Sequence, residues 1–495
     1  MYFENNNNRE ESSYYLSVDE PQKRKGINPV ILASILILFS ALFAVAISNF
    51  GVKSFYVILV GIFVLPVAYT IVAYPKAGIY ILLTLAYLIM FTSKLGVDYP
   101  VGTVMDAIEG LMLLGVIIRQ RRERNWGYFN NAISVMILIW IGYNLVEALN
   151  PVAASRLAWV YTVRTVAVVA ITYFIFLYYI RDVKFIRNIM KLWIALSFIG
   201  AAYAFKQEYF GFAGFELAWL DSSPKYKALY FIAGSWRKFS IFTDPMTFSY
   251  NMVVSSILCF ALMVGPYSTK QKVLLAFLGV FFFVAMLFSG TRSAYVLLPA
   301  AAMLFMVLKY NKKVFMAVCV LAMAMVVLIK MPTGNHTLYR FQTAFKPSDD
   351  ASFNLRAINQ KKIQPYIQSH PMGGGLGATG VWGERFSPNS FLAKFPPDSG
   401  YVRVAVEMGW VGLLIFCTYF FFILKTGITN YFRIKDPELK TYCLAMVLIV
   451  FALNIGNYPQ EGLVQYPINV YFNLVLALIV VTWKLDQQKR LINAS

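Results

Sequence analysis

Long apolar segments recur along the whole chain, and they constrain its fold more than any other feature of the sequence. Each run of about 18 or more residues is long enough to cross a hydrocarbon core of roughly 30 Å. Hydrophobic residues make up 59% of the 495 residues and charged residues only 14%, whereas soluble domains are about half apolar and a quarter charged. Because a bilayer cannot hydrogen-bond exposed backbone groups, such segments must be helical. The sequence therefore predicts an all-α integral membrane protein.

Hydropathy predicts about fourteen transmembrane helices. Their predicted ranges are 28–48, 55–74, 78–95, 102–118, 130–148, 158–180, 187–205, 246–264, 272–289, 293–309, 313–330, 401–424, 440–456 and 466–483. The predicted organisation is a disordered cytoplasmic tail at 1–26, spans within 27–205, 246–330 and 401–484, outer segments at 206–245 and 331–400, and a cytoplasmic tail at 485–495. The first apolar run lacks a small-residue cleavage site at its end, so we expect it to remain as a span.

Basic residues predict the orientation of these spans. Lysine and arginine are enriched in cytoplasmic connections, and an even number of spans returns both termini to one side. With the N-terminus in the cytoplasm, basic clusters such as Lys23–Lys25, Arg119–Arg124 and Lys309–Lys313 occur in every predicted cytoplasmic connection. These separate clusters account for the net charge of +20. Because they form no continuous basic face, nucleic acid is not an expected partner.

The larger outer segment has a pattern of its own. Its stretch Asn354–Gln368 mixes Leu355, Ile358 and Ile363 with polar residues, a pattern that is typical of a helix lying on a membrane face. The glycine-rich run Gly373–Gly377 follows and indicates a tight turn with exposed backbone. We therefore expect a large outer loop with short amphipathic helices.

Four arginines are predicted to face the outer half of the membrane: Arg164, Arg237, Arg292 and Arg356. Ionisable groups within or beside spans are costly and are often functional. Guanidinium groups match phosphate oxygens in a fork geometry and stay charged. Any one of them could instead snorkel to the interface or pair with an acid. Four arginines on one face favour a polyanionic ligand such as a lipid pyrophosphate.

Acidic candidates are fewer. Asp106 and Glu109 share one face of the fourth predicted span, where we expect structural partners of the arginines before catalytic groups. Asp398 precedes the twelfth predicted span and could accept a proton from an attacking hydroxyl, or cap the helix, or do both. His336 and His370 are isolated, and His370-Pro371 is typical of a turn. The sequence shows no metal-ligand cluster, nucleophile elbow or P-loop, so we expect no metal and no cofactor.

Four motifs follow one another along the predicted outer face. They are Arg237–Pro245 (Arg-x-x-Ser-x-Phe-x-x-Pro), Ser289–Ser293 (Ser-x-x-Arg-Ser), Arg356 followed by His370-Pro371 and Gly375-x-Gly377, and Asp398-Ser399 followed after nine residues by Gly409-x-x-Gly412. In this order they resemble the O-antigen polymerase/ligase superfamily of bacterial polytopic glycosyltransferases. The resemblance covers roughly residues 230–415. The ligase branch has histidine where this chain has Asp398.

The resemblance implies a GT-C-like fold and a metal-independent, inverting transfer of a glycan from undecaprenyl pyrophosphate to a sugar hydroxyl. The pyrophosphate would be bound by Arg164, Arg237, Arg292 and Arg356. Asp398, Arg292 and Arg237 would be the catalytic residues, and Asp398 would take the acceptor proton. A pyrophosphate leaving group needs cationic stabilisation more than a strong acid. Supporting roles are expected for Asp106, Asp244, Ser399, Gly375, Gly377, Gly409 and Gly412.

The aspartate at position 398 favours a polymerase of O-antigen, capsule or exopolysaccharide repeat units over a ligase that transfers finished glycan to lipid A-core or protein. A flippase for lipid-linked oligosaccharide is a further alternative, although the chain shows neither two related halves nor short loops on both sides. A chain-length regulator would have few spans. The expected location is the outer face of a bacterial inner membrane. Expected partners are the lipid-linked glycan, an acceptor glycan and the bilayer, with a chain-length regulator and a flippase as candidate protein partners.

Overall fold

The computed structural model describes residues 64–96, 101–232, 234–334, 351–396 and 399–494, together with a few isolated positions. The first predicted span, His336 and Asp398 therefore lie outside the described residues. Nearly all regular structure in the described part is helical. The exception is a short antiparallel hairpin in which β1 (Phe231–Ile232) pairs with β2 (Ser235–Trp236).

The helices are numbered in chain order, and several short ones lie between the long ones. The first half contains α1 Val64–Ala73, α2 Pro75–Leu88, α3 Val101–Glu123, α4 Ala132–Val146, α5 Arg156–Val163, α6 Ile171–Tyr179, α7 Val183–Tyr209, α8 Gly214–Asp221 and α9 Pro224–Tyr230. The second half contains α10 Pro245–Leu262, α11 Thr269–Leu287, α12 Arg292–Tyr295, α13 Leu297–Leu308, α14 Lys312–Lys330, α15 Ala351–Ser369, α16 Gly380–Phe386, α17 Gly400–Glu407, α18 Gly409–Arg433, α19 Pro437–Gly456 and α20 Ile468–Ala494.

Within the described residues, nine helical segments are long and apolar enough to cross a membrane. They are Pro75–Leu95, Ala132–Leu149, Arg156–Tyr179, Val183–Tyr209, Pro245–Leu262, Thr269–Leu287, Gly409–Arg433, Pro437–Gly456 and Ile468–Asn493. The chain is therefore a mostly helical, multi-pass membrane protein. The total of about fourteen spans stays a prediction.

Three helices form the centre of the bundle. In α10, α19 and α20, between 78% and 89% of the apolar window is buried inside the protein. Helix α19 packs against α10 and α20, and α11 covers the outside of α10. A helix that is hydrophobic on all sides is buried by its neighbours, and these three helices therefore form the core of the bundle.

The predicted span 401–424 is wrong at its start. The chain first forms the short helix α17, then breaks at Gly409 and continues as α18. Gly409 has a φ of +68°, a left-handed conformation that ends a helix and that glycine adopts without strain. The N-cap of α17 is Ser399, whose hydroxyl accepts a hydrogen bond from the Val402 amide. Asp398, the cap that the sequence suggested, lies outside the described residues.

Basic connections meet at one end of the bundle. Arg187, near the start of α7, pairs with Glu438 of α19 at 3.0 Å. Arg181 pairs with Glu123, the last residue of α3, also at 3.0 Å. The two predicted outer segments, which contain α8, α9, α15 and α16, connect helices at the opposite end. The positive-inside rule predicts that the basic end faces the cytoplasm.

Reporter fusions test that orientation. We expect green fluorescent protein to fluoresce when fused after Lys435, and alkaline phosphatase to be active when fused after Ser390, because basic connections are retained in the cytoplasm. The controls exchange the reporters: green fluorescent protein after Ser390 should not fluoresce, and alkaline phosphatase after Lys435 should be inactive. Active phosphatase at Lys435 would reverse the orientation.

Candidate functional site

Two of the predicted motifs contact each other directly. Arg237 donates from Nε to the Ser289 carbonyl and from Nη2 to the Thr291 hydroxyl, both at 2.9 Å. The Thr291 hydroxyl in turn donates to the Pro245 carbonyl at 3.2 Å. These bonds hold the segment of Arg237 against the turn that leads into α12. Arg292, the half-buried first residue of α12, is thereby fixed beside the start of α10.

Asp244 has a clear local function. It is the N-cap of α10, where its carboxylate accepts hydrogen bonds from the amides of Met246 and Thr247 at 2.8 and 2.9 Å. Pro245 follows at the first helical position, where a missing N–H costs nothing. This cap sets the position at which α10 begins, close to Arg237 and Arg292.

The third and fourth motifs also meet. Arg356 of α15 lines a small pocket whose wall includes Asn359, Pro396 and Ser399. Pro396 and Ser399 are the described residues nearest in sequence to Asp398 on either side. Arg356 is therefore near the start of α17.

Arg164 is held differently from the other three arginines. Its Nη2 forms an ion pair with Asp106 of α3 at 2.5 Å, and its Nε donates to the same oxygen at 2.6 Å. It begins a π-helical turn, Arg164–Val168, between α5 and α6. Glu109, one turn further along α3, is only 3% exposed. The pairing that the spacing of the acids suggested is therefore present for Asp106, and phosphate binding by Arg164 stays a prediction.

The glycine-rich turn lies against the helix that leads to Arg164. Gly377 has a φ of +82°, and a Cβ there would come within 2.4 Å of the Thr162 hydroxyl and 2.6 Å of the Ala158 carbonyl. A Cβ on Gly375, whose φ is +93°, would lie 2.5 Å from that of Ala153. Gly377 is therefore required for close contact with α5, and Gly375 for close contact with Ala153, which precedes α5.

The glycines of the last motif are required for similar reasons. A Cβ on Gly409 would lie 1.9 Å from the Pro371 carbonyl oxygen, so the α17–α18 junction and the glycine-rich turn touch through their backbones. A Cβ on Gly412 would lie 2.4 Å from that of Met408 and 3.1 Å from the Tyr143 ring. Glycine at 409 allows the glycine-rich turn, and glycine at 412 allows Tyr143, to pack closely against the α17–α18 junction.

Glu407, a buried charged residue of this region, was not predicted from the sequence to be part of the site. Glu407 is 1% exposed, and its carboxylate accepts hydrogen bonds from the Gly377 amide (3.0 Å), the Thr379 hydroxyl (2.5 Å) and Arg403 Nε (3.2 Å). Arg403 also pairs with Glu461 at 2.5 Å. Burial alone would lower the pKa of Arg403, but the carboxylates of Glu407 and Glu461 raise it, so it stays charged. The available signal was an ionisable pair four residues apart inside an apolar run.

The connection 457–467, between α19 and α20, was also missed. It contacts α17 and the start of α10. Its contacts are the Asn457 carbonyl with the Gly400 amide (2.9 Å), Glu461 with Arg403 (2.5 Å), and Gln465 with the Thr247 hydroxyl. The sequence signal is a cluster of amide and carboxylate side chains between two strongly apolar helices.

His370 lies in a turn, as the sequence indicated. The residue follows α15 directly, and its ring stacks on Tyr366 with the ring centroids 4.0 Å apart. The ring nitrogen Nδ1 lies 3.0 Å from the Tyr366 carbonyl oxygen. These contacts are with a residue of the preceding helical turn, and they place His370 at the end of α15.

The fold and the site describe a multi-pass membrane protein with a polar, arginine-containing site at one end of its helical bundle. Residues 277–417 match the family model described as O-antigen ligase, and this match confirms the resemblance to the O-antigen polymerase/ligase superfamily. Members of that family are glycosyltransferase-like enzymes that act on lipid-linked glycans. No curated protein matches the chain. The matched range includes Arg292, Arg356 and Glu407, whereas Arg164 and Arg237 lie outside it.

Gly377→Ala should strongly destabilise the outer segment. A left-handed alanine costs about 1–2 kcal/mol, and the contact with α5 adds about 1–3 kcal/mol of overpacking. Gly211→Ala is the matched control, because Gly211 has a φ of +77° and no atom within 4 Å of its added Cβ. Thermal unfolding in detergent should show a larger loss for Gly377→Ala. Equal losses would mean that the turn is not tightly held on α5.

Glu407→Gln should also destabilise the protein. The Gln side chain has an NH2 group in place of one carboxylate oxygen, so a buried donor of Gly377 or Thr379 loses its acceptor, which costs about 1–3 kcal/mol. Asp221→Asn is the control, because Asp221 pairs with Lys227 at an exposed site, where an ion pair contributes at most about 1 kcal/mol. Denaturant or thermal unfolding of both variants measures the difference. If the Glu407 variant is as stable as the Asp221 variant, the hydrogen bonds of Glu407 do not hold the glycine-rich turn against α17.

Proposed function

We propose that this chain is a membrane glycosyltransferase that polymerises undecaprenyl-pyrophosphate-linked oligosaccharide repeat units at the outer face of a bacterial inner membrane. The observation that carries the proposal is that the motifs meet in pairs, the first with the second and the third with the fourth. Arg237 is bound to the turn of Arg292, and Arg356 lines the pocket beside Ser399. The family match over residues 277–417 supports the same class of reaction.

The proposed reaction forms one glycosidic bond and breaks one bond to phosphate. The acceptor hydroxyl oxygen attacks the anomeric carbon of the donor from the face opposite to the pyrophosphate. The bond between that carbon and the phosphate oxygen breaks, and undecaprenyl pyrophosphate leaves with the electron pair. Asp398 takes the proton of the hydroxyl. The configuration at the anomeric carbon is inverted.

The arginines stabilise the charge that develops on the leaving pyrophosphate. Charge-assisted hydrogen bonds from guanidinium groups are strong and match two phosphate oxygens at once. Arg292 and Arg356 bind the pyrophosphate in this proposal. Arg237 positions the turn of Arg292 through Ser289 and Thr291. Arg164 binds a phosphate oxygen in exchange for, or together with, its contact to Asp106.

A ligase is the second candidate, and one observation favours it: the matching family model is described as O-antigen ligase. Asp398, in the position where ligases have histidine, favours the polymerase. The two activities differ in their products. Repeated transfer gives a ladder of polymer lengths, whereas a ligase makes one transfer to lipid A-core or protein. A flippase would move labelled lipid-linked glycan across a liposome membrane without forming a new glycosidic bond.

Asp398→Ala and Arg292→Ala should each reduce polymer formation by about 100-fold or more, since they remove the proton acceptor and a cationic partner of the leaving group. Purified protein would be incubated with undecaprenyl-pyrophosphate-linked repeat units and the products sized. Arg385→Ala is the control, because Arg385 is an exposed arginine of the same outer segment. Full-length polymer from Asp398→Ala would show that Asp398 is not the base.

A further inference from the structure

Lys94 is a buried lysine at the end of the bundle that contains the motifs. It lies in a short 3₁₀ turn, Ile89–Leu95, that follows α2, and it is only 3% exposed. A buried amino group needs a hydrogen-bond partner to offset the loss of water. Nζ of Lys94 donates a hydrogen bond to the carbonyl of Phe242, a residue of the motif Arg237–Pro245. This lysine therefore joins the end of α2 to the first motif.

The same amino group lies against aromatic rings. Nζ of Lys94 is 3.7 Å from the centroid of the Phe239 ring and 5.3 Å from that of Trp219 in α8. The side chain of Phe239 is fully buried. A desolvated cation over an aromatic ring contributes about 2 kcal/mol. Lys94 thus contacts the first motif twice, once through the ring of Phe239 and once through the backbone of Phe242. Ser240 lies between these two contacts.

The backbone between the two contacts has an unfavourable conformation. Ser240 has a φ of +54°, and a left-handed conformation costs a residue other than glycine about 1–2 kcal/mol. Its amide donates to the side chain of the buried Gln207 at 2.8 Å, and its hydroxyl donates to the Gly200 carbonyl at 2.5 Å. Such a residue keeps its conformation only where the surrounding structure fixes it. The contacts of Lys94 on both sides of Ser240 are part of that structure.

The turn that contains Ser240 is connected to the arginines. A backbone hydrogen bond of 3.1 Å between its first and last residues closes the turn 239–242. Arg237 lies two residues before the turn and donates to the Ser289 carbonyl and the Thr291 hydroxyl. These bonds fix the segment that leads into Arg292. A continuous series of contacts therefore connects the buried amino group to the start of α12.

We propose that Lys94 is a positioning residue for the donor: it fixes the turn 239–242, and through Arg237 it sets the position of Arg292, which binds the pyrophosphate. The inference rests on the proposed glycosyltransferase function. It adds to the site a residue that lies outside the four motifs and outside the family match over residues 277–417. Lys94 itself does not touch the substrate in this arrangement, and its effect on binding passes through Arg237.

Replacing the lysine tests the proposal. Lys94→Met removes the amino group and keeps a long, unbranched side chain. Lys484→Met is the matched control, because Lys484 also donates to a carbonyl, that of Tyr128 at 2.6 Å, but at the basic end of the bundle, where Arg181 lies over the same ring. Affinity of the purified protein for undecaprenyl pyrophosphate should fall about tenfold in Lys94→Met and change less than about twofold in Lys484→Met, because only the first variant must order the turn and Arg292 on binding.

A double-mutant cycle separates positioning from a general loss of stability. In the Arg237→Ala background, Lys94→Met should change the affinity for undecaprenyl pyrophosphate by less than about twofold, since the connection to Arg292 is already broken. An equal loss of affinity in both backgrounds would overturn the proposal. Unchanged affinity in Lys94→Met alone would overturn it as well.

A second variant decides the question if Lys94→Met does not fold. Phe239→Leu keeps the lysine and an apolar side chain but removes the ring beside the amino group, so the affinity for undecaprenyl pyrophosphate should fall about threefold or more. An affinity equal to that of the wild type would overturn the proposal.

Hydrogen exchange measures the position of the segment without any substrate. The backbone amides of residues 289–292 should exchange faster in the Lys94 or Phe239 variant than in the wild type, and at the wild-type rate in Lys484→Met, because only the first two variants loosen the turn beside Arg237. Exchange at the wild-type rate in all variants would overturn the positioning. A wild-type protein that does not bind undecaprenyl pyrophosphate, or forms no glycosidic bond, would refute the proposed function instead.

Discussion

The buried carboxylate of Glu407 is the group on which the end of the bundle that contains the motifs depends. It accepts hydrogen bonds from the glycine-rich turn through Gly377 and Thr379, and it pairs with Arg403. Arg403 extends the network to Glu461 in the connection 457–467. Desolvating such charges is expensive, and breaking one pair leaves an uncompensated charge. Three segments that are distant in sequence are therefore fixed to one another at the end of the bundle where the motifs meet.

Charge is distributed unevenly across this end of the bundle. Arg237 is bound to the turn before α12, Arg292 begins α12 and Arg356 lies on α15, whereas the carboxylates of Glu407 and Glu461 outnumber the guanidinium of Arg403 in the buried network. Opposite local charges separate a region that attracts anions from one that repels them.

Much of the fold could be predicted because its cause is local. Long apolar runs predicted the helices, and the mixed pattern of 354–368 predicted α15, since burial in a membrane or at its surface depends on the side chains of one segment. The break at Gly409 was missed because hydropathy does not report a left-handed φ. The bond between Arg403 and Glu461 joins residues 58 positions apart, and no local pattern predicts such a partner. The sequence predicted an acidic partner for the arginines, and the tertiary structure identifies the pair as Asp106 with Arg164.

The ion pair between Arg164 and Asp106 affects how the protein could release a product. When a phosphate oxygen binds a guanidinium that already has a carboxylate partner, the gain in binding free energy is small, because one anionic contact replaces another. The same carboxylate is ready to take the contact back when the phosphate leaves. An enzyme that discards a spent lipid carrier in every cycle would benefit from such a reversible exchange, since a tightly retained carrier would block the next turnover.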